Sequence, residues 1–314
     1  MDGEAPAVRV RGLVKSYGPV RAVRGIDLDI RHGEIFALLG PNGAGKTTTV
    51  EILEGYRRRD GGEVTVLGHD PGRDRSAILP RIGIVLQKTG VDKYLTVIET
   101  VAMFGSYYPR PRDVDEVVGL VGLTEKRDSR VTKLSGGQLR RLDMAVALAG
   151  DPDLLFLDEP TTGFDPSARR EAWEVVKNLA SLGKTVVLTT HYMEEAQYLA
   201  DRVAVIAAGR IVASGPPATL GARDQAAARI RFRLPDGAAL PDWLAEGLAV
   251  APSPEHDGFT VLTSADPVRD LQRLTTWAVE DGIPLNGLEV TRPSLEDVYL
   301  ALAEEGPVSQ GSTA

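Results

Sequence analysis

The octapeptide Gly40-Pro41-Asn42-Gly43-Ala44-Gly45-Lys46-Thr47 constrains the fold of this chain more than any other stretch. It matches the pattern GxxxxGK[ST] at every fixed position, and Thr48 extends it. The apolar run Ile35-Phe36-Ala37-Leu38-Leu39 leads into it, and Val50, Ile52 and Leu53 beyond it suit a helix. Strand, glycine-rich loop and helix, in that order, are the context the pattern needs. The glycines let the backbone curl so that successive N–H groups face one anion, and the helix start adds its partial positive charge. In such a loop Lys46 reaches the β- and γ-phosphates of a nucleoside triphosphate and Thr47 offers its hydroxyl to Mg²⁺.

A second segment supplies carboxylates. Leu154-Leu155-Phe156-Leu157-Asp158-Glu159-Pro160 is an apolar run bounded by Pro152 and Pro160, which predicts a buried central strand. Parallel α/β sheets place ligands at the C-terminal ends of their strands. Asp158 suits Mg²⁺, a hard cation that takes oxygen ligands and keeps several waters. Glu159 suits the polarising of an attacking water. Between the two motifs lies Leu134-Ser135-Gly136-Gly137-Gln138, followed by a helical pattern through Leu142, Ala145, Val146 and Leu148. Ser135 is a natural N-cap, so this is a second helix start fit for an anion. One nucleotide does not need two phosphate cradles in one chain. Two chains set head to tail would use both, each cradle covering the other's nucleotide.

The sequence LSGGQ, with the glycine loop before it and the Leu-Asp-Glu-Pro strand after it, resembles the ATP-binding subunit of an ABC transporter. The resemblance runs from about residue 7 to 215 without interruption. It implies an α/β P-loop NTPase cassette with a RecA-like core, an antiparallel β subdomain and a helical subdomain at about 88–150. It also implies further roles, residue by residue. Tyr17, in Lys15-Ser16-Tyr17-Gly18, matches the aromatic that stacks on adenine. Gln87 matches the glutamine that touches Mg²⁺, with Thr47 and Asp158, and faces the membrane partner. Asp165, in Thr162-Gly163-Phe164-Asp165, matches the loop that crosses the dimer interface, although Phe164 stands where the family usually has leucine. His191 matches the histidine that senses the γ-phosphate. Glu159, His191 and Lys46 are then the catalytic group, and Leu134, Ser135, Gly136, Gly137 and Gln138 contact ATP across a homodimer.

Composition narrows the class. Hydrophobic residues make up 43% of the 314, enough for a large core, yet no apolar run approaches the ~20 residues that span a bilayer. The segment Met1-Asp2-Gly3-Glu4-Ala5-Pro6 lacks the pattern of a signal peptide. Without cysteine there are no disulfides or thiolate sites, and His32, His69, His191 and His256 show no zinc spacing. A net charge of −8 gives no electrostatic footprint for nucleic acid. An ATPase of this kind must borrow its membrane pathway from a separate permease, and would sit at the cytoplasmic face of the membrane.

The pattern along the chain predicts a half-buried strand over 7–14, short strands broken near Gly61-Gly62 and Gly68, and a mostly helical stretch over 88–130 capped at Thr96. Lys126-Arg127-Asp128-Ser129-Arg130 reads as a solvated turn only. A helix is expected from Asp165-Pro166 to about Leu182, with Trp173 and Met193 in the core, then a closing hairpin over 200–206 and 209–212, and Gly215-Pro216-Pro217 ends the first domain. Residues 218–305 predict a small α+β domain without a chemical motif: strands near 228–234, 259–262 and 288–290, and a helix over 266–280. Residues 306–314 read as a disordered tail. The segment Arg292-Pro293-Ser294-Leu295-Glu296-Asp297-Val298-Tyr299-Leu300 and Arg140-Arg141-Leu142-Asp143 resemble the ATPases of daunorubicin-resistance (ABC-2 type) exporters. The resemblance implies export, with drugs or antibiotics as candidate cargo. A second reading is a non-transport ABC ATPase acting on ribosomes or nucleic acid. Such proteins carry two cassettes or a long coiled-coil insertion, and this chain has one cassette and neither. A third is a regulatory ATP-binding module without turnover, against which the intact Glu159 and His191 argue.

Overall fold

The computed structural model describes residues 5–86, 90–222, 227–235, 237–241, 244, 253–254, 258–292 and 295. The chain forms two compact units, one reaching to Pro217 and the other spanning Ala218–Glu305.

The first unit is built on a six-stranded sheet. Its strands, in spatial order, are β5 (Ile82–Val85), β6 (Leu154–Asp158), β7 (Thr185–Thr190), β3 (Ile35–Leu39), β8 (Arg202–Ala207) and β9 (Arg210–Gly215). All neighbours pair parallel except β8 and β9, which form the closing hairpin. Every residue of β3 and of β7 is buried, as a parallel sheet covered on both faces requires. Beside it, β1 (Val8–Tyr17), β2 (Val20–Ile30) and β4 (Gly61–Val66) form an antiparallel sheet in the order β2-β1-β4. Gly61 and Gly62 open β4 and do not interrupt it. Val8, Leu13 and Ile26 from this sheet share one core with Phe36, Leu38 and Phe156 from the other. The helix α1 (Lys46–Leu53) buries Val50, Ile52 and Leu53 in the same core, and a short α2 (Arg75–Ile78) precedes β5.

The stretch expected to be mostly helical contains two short helices, α3 (Val97–Gly105) and α4 (Val114–Leu120). Pro109 and Pro111 lie between them and prevent one continuous helix. Thr96 closes a capping box: its hydroxyl accepts from the Glu99 N–H at 3.3 Å while Glu99 accepts from the Thr96 N–H at 2.8 Å. The charged turn at 126–130 does more than solvate the surface. Its Ser129 and Arg127 carbonyls accept from the Val97 and Ile98 N–H groups, two of the donors a helix start leaves open. Next comes α5 (Gly136–Leu148), which packs with α3 and α4. Then α6 (Pro166–Ser181) buries Trp173 and Leu179, and α7 (Met193–Leu199) leaves Met193 only partly buried, not in the core.

In the second unit, β10 (Ala228–Arg233), β11 (Ser253–Pro254), β12 (Thr260–Ser264) and β13 (Asn286–Thr291) form an antiparallel sheet in the order β11-β12-β10-β13. Helix α8 (Pro267–Glu280), capped by Asp266, places Leu274 and Trp277 against Ile230, Phe232 and Leu262. Residues 306–314, and most of 293–300, lie outside the described residues.

Candidate functional site

The glycine loop is wedged between strands that only glycine tolerates. A Cβ at Gly40 would lie 2.3 Å from the Ile206 carbonyl oxygen, and one at Gly45 only 2.4 Å from that of Ala22. Gly45 also holds φ 104°, in the left-handed region. Lys46, 5% exposed, folds its ammonium back to donate to the carbonyls of Gly40 at 2.7 Å and Pro41 at 3.1 Å. Burial pushes its pKa below the ordinary lysine value, and the carboxylates of Glu159 and Asp158 oppose that shift. Loop residues from Pro41 to Thr48, other than the buried Ala44, line a cleft of about 260 Å³ together with Tyr17 and Glu159. The half-exposed Tyr17 ring stands at the end of β1, with the Arg57 guanidinium 5.2 Å and the Lys15 ammonium 5.5 Å from its centroid. A larger, more open hollow of about 460 Å³ surrounds Arg59 and Asp70, which pair through two hydrogen bonds. It holds none of the motif residues, so the smaller cleft is the functional candidate.

Two carboxylates stand at the end of β6, and of these Glu159 lines that cleft. Asp158 ends the strand, and its Oδ1 accepts from the Thr189 hydroxyl at 2.5 Å. Glu159 turns the chain with φ 45°, a left-handed conformation rare for a residue with a Cβ. Its N–H is held by the Thr189 carbonyl and hydroxyl at 3.2 and 3.1 Å. Its carboxylate accepts from the Thr162 hydroxyl at 3.1 Å and lies 3.2 Å from the Nδ1 of His191. His191 follows β7, so the parallel pairing of β6 with β7 brings the two together.

The signature sits elsewhere on the same unit. Ser135 caps α5, accepting from the Gln138 N–H at 3.3 Å, and Gln138 returns the bond to the Ser135 N–H at 3.0 Å. None of residues 134–138 lines the cleft. The helix start of α5 lies against that of α6: a Cβ on Gly137 would stand 3.2 Å from the Ala168 Cβ. Asp165 caps α6 through the N–H groups of Ser167 and Ala168, both at 2.9 Å. Gln87 lies outside the described residues.

Sequence reasoning missed three supporting groups. Thr189 binds both Asp158 and Glu159, and its only mark in the sequence is a hydroxyl near the end of an apolar strand. Arg140, noted only as a branch marker, is buried against the carbonyls that follow β6. Burial lowers its pKa, with the nearby Asp143 and Asp158 carboxylates acting the other way. Glu195 is fully buried below the loop after β6, where it accepts from the Thr161 hydroxyl at 2.7 Å and the Trp173 indole at 3.1 Å. Burial holds its carboxyl above the ordinary range.

The donor set fits Mg²⁺. Thr47 on the cleft wall and Asp158 at the end of β6 offer hard oxygens, and no group of three or more His, Cys, Asp or Glu is gathered among the described residues. That sparse set suits an ion that keeps waters and takes the rest of its ligands from phosphates.

A family model described as ABC transporter matches residues 23–162, and one for the C-terminal domain of ABC transporter domain-containing protein-like sequences matches 228–294. The daunorubicin/doxorubicin resistance ATP-binding protein DrrA of Streptomyces peucetius is 37% identical over 304 residues, covering 94% of this chain and 92% of its own. The Nod factor export ATP-binding protein I of Paraburkholderia xenovorans is 42% identical over 302 residues, covering 94% and 96%. Among solved structures, cbiO1 of Clostridium perfringens, part of the ABC transporter complex cbiONQ, matches with a TM-score of 0.63 at 28% identity, over 68% of this chain and 90% of its own. The ATP-binding cassette MJ0796, in a dimeric post-hydrolysis state with ADP and Pi, matches with a TM-score of 0.59 at 25% identity, over 67% and 98%. A phosphate loop facing an acidic strand end, with relatives this similar along nearly the whole chain, identifies the protein as a member of the ABC transporter family, an ATP-binding subunit with ATPase activity.

Proposed function

We propose that this protein drives an exporter, as a pair of identical chains that hydrolyse ATP beneath a separate membrane permease. The observation that carries the reading is the cleft itself. It unites Tyr17, the phosphate loop and Glu159 but no residue of the signature, so a complete site needs a second chain. ATP lies with its adenine on Tyr17 and its phosphates along the loop N–H groups, where the Lys46 ammonium exchanges its carbonyl partners for the β- and γ-phosphates. Thr47, Asp158 and Gln87 would hold Mg²⁺, which would supply positive charge to the phosphate oxygens. Glu159 takes a proton from water as the water oxygen bonds to the γ-phosphorus. The bond from that phosphorus to the β–γ bridging oxygen breaks, leaving ADP and phosphate. His191, 3.2 Å from Glu159, orients the carboxylate and stabilises the γ-phosphate.

The partner's Leu134–Gln138 segment caps the γ-phosphate with its helix start, and Asp165 on the adjoining helix start crosses the interface. No helix among the described residues is long and apolar enough to cross a membrane, which agrees with a pathway supplied by another polypeptide. The helical segment around α3 and α4 would face that permease at the cytoplasmic side. Residues 7–215 form the ATPase domain in this reading and 218–305 an accessory domain. The names of the relatives support export, and a drug or antibiotic is the cargo class proposed.

Replacing Glu159 with Gln tests the assignment. The amide keeps size and hydrogen bonding but cannot take the proton, so ATPase should fall by about 10²–10⁴-fold while ATP stays bound. Nucleotide-locked dimers should then accumulate on size exclusion. Near-normal turnover would remove Glu159 from the catalytic role.

A further inference from the structure

The guanidinium of Arg140 takes no part in the hydrolytic scheme above, yet it touches the scheme's central segment. The residue is 7% exposed and lies on α5, the helix that Ser135 caps. Its Nη2 donates to the carbonyls of Asp158 at 2.8 Å and Glu159 at 3.4 Å, and its Nε to that of Pro160 at 3.1 Å. Its Nη1 donates to the Leu86 carbonyl, just past β5, and lies 3.7 Å from the Asp143 carboxylate. One planar fork thus gathers three successive carbonyls of a single turn and ties them to a second strand end. A lysine ammonium is a point donor on a flexible stem and cannot reproduce that arrangement.

The turn so held contains the left-handed Glu159, φ 45°. A residue with a Cβ stays in that conformation only where its surroundings over-determine it. Thr189 fixes the Glu159 N–H from one side, and Arg140 fixes the carbonyls from the other. The helix that carries Arg140 is itself firmly seated: a Cβ on Gly83 of β5 would stand 2.3 Å from the Ala147 carbonyl oxygen, so α5 lies directly on that strand.

We infer that Arg140 is a positioning residue for hydrolysis: by holding the main chain at Asp158–Pro160 it aims the Glu159 carboxylate at the attacking water, from the helix that carries the signature. This rests on the reading of Glu159 as the group that takes the water's proton. It gives the signature helix a mechanical hold on the chain's own catalytic carboxylate, so a displacement of that helix also moves Glu159.

The test compares wild type, Glu159→Gln, Arg140→Gln and the double variant by steady-state and single-turnover ATPase, nucleotide affinity and thermal midpoint. Misplacing the carboxylate should lower kcat by about 10²-fold in Arg140→Gln, with KM and ATP affinity little changed. The double variant should turn over no more slowly than Glu159→Gln, because the arginine acts through the carboxylate. Arg140→Lys, which keeps the charge and the alkyl stem and guards against loss of folding, should stay well below wild type in kcat. Wild-type kcat in Arg140→Gln would overturn the inference, as would full rescue by lysine or losses that multiply in the double variant. If Glu159→Gln fails and Arg140→Gln does not, only the positioning role falls. Normal turnover in Glu159→Gln would remove both readings.

Discussion

Glu54 carries its carboxyl at the end of α1, 3% exposed, where three influences disfavour its charge. Burial is the largest, followed by the negative potential of Asp158 and Glu51, and together they raise its pKa from 4.5 to about 8. The helix C-terminus is also a poor place for an anion. Between those two values the folded protein keeps a proton that the unfolded chain has released, so this group makes stability fall as pH rises through the window. Glu54→Gln removes the titration. Its thermal midpoint should exceed the wild-type value at pH 8.5, and the two should converge near pH 4. Curves that run parallel across that range would show that Glu54 is ionised in the fold. The residues of the site differ in how legible they were. Lys46 and Asp158 announced themselves because their chemistry follows from short local patterns. The left-handed turn at Glu159 did not, since it is set by Thr189 and Arg140, which reach it only through the packing of β7 and α5.

Among the elements, α3 owes its start to two independent devices. The Thr96–Glu99 box satisfies one open N–H and the Thr96 main chain, while the 126–130 turn takes the Val97 and Ile98 donors. Removing the hydroxyl leaves the second device in place. Thr96→Ala should therefore cost about 1 kcal/mol in urea unfolding, and Thr96→Ser should be close to neutral. An alanine variant as stable as wild type would mean that the turn alone holds the helix start. The cap at Thr96 could be read from the sequence because it directly precedes the helical pattern it starts. The turn could not, because its carbonyl partners are distant in sequence and any charged loop looks alike before it is folded. The strands of the central sheet were easier: β3 and the first four residues of β6 are apolar throughout, and Val186–Leu188 make the middle of β7 so, the pattern that burial on both faces demands. Between α3 and α4 the apolar spacing suggested more helix than forms, and Pro109 and Pro111 decide the matter.

For the whole molecule, the separation of the signature from the cleft on one chain turns into a prediction about two. In the proposed reading Lys46→Ala removes a charge-assisted phosphate contact, while Ser135→Arg fills the start of α5 with a bulky cation and breaks its capping box. Each variant alone should be nearly inactive, because every site in its homodimer is defective. When the two are mixed, a head-to-tail dimer places both defects in one site and leaves the other intact. ATPase plotted against mixing ratio should then rise above the line joining the two pure variants, with a maximum near equal amounts. If each chain completed its own site, all sites in the mixture would stay broken and the plot would follow that line. Cross-linking between differently tagged chains establishes that mixed dimers form, and detergent-solubilised permease is included if the isolated subunit pairs weakly. A flat plot with mixed dimers present also arises if one intact site cannot fire without the other. Trapping a single turnover of labelled ATP separates these cases: one equivalent bound and cleaved per mixed dimer supports the shared site, and none counts against it.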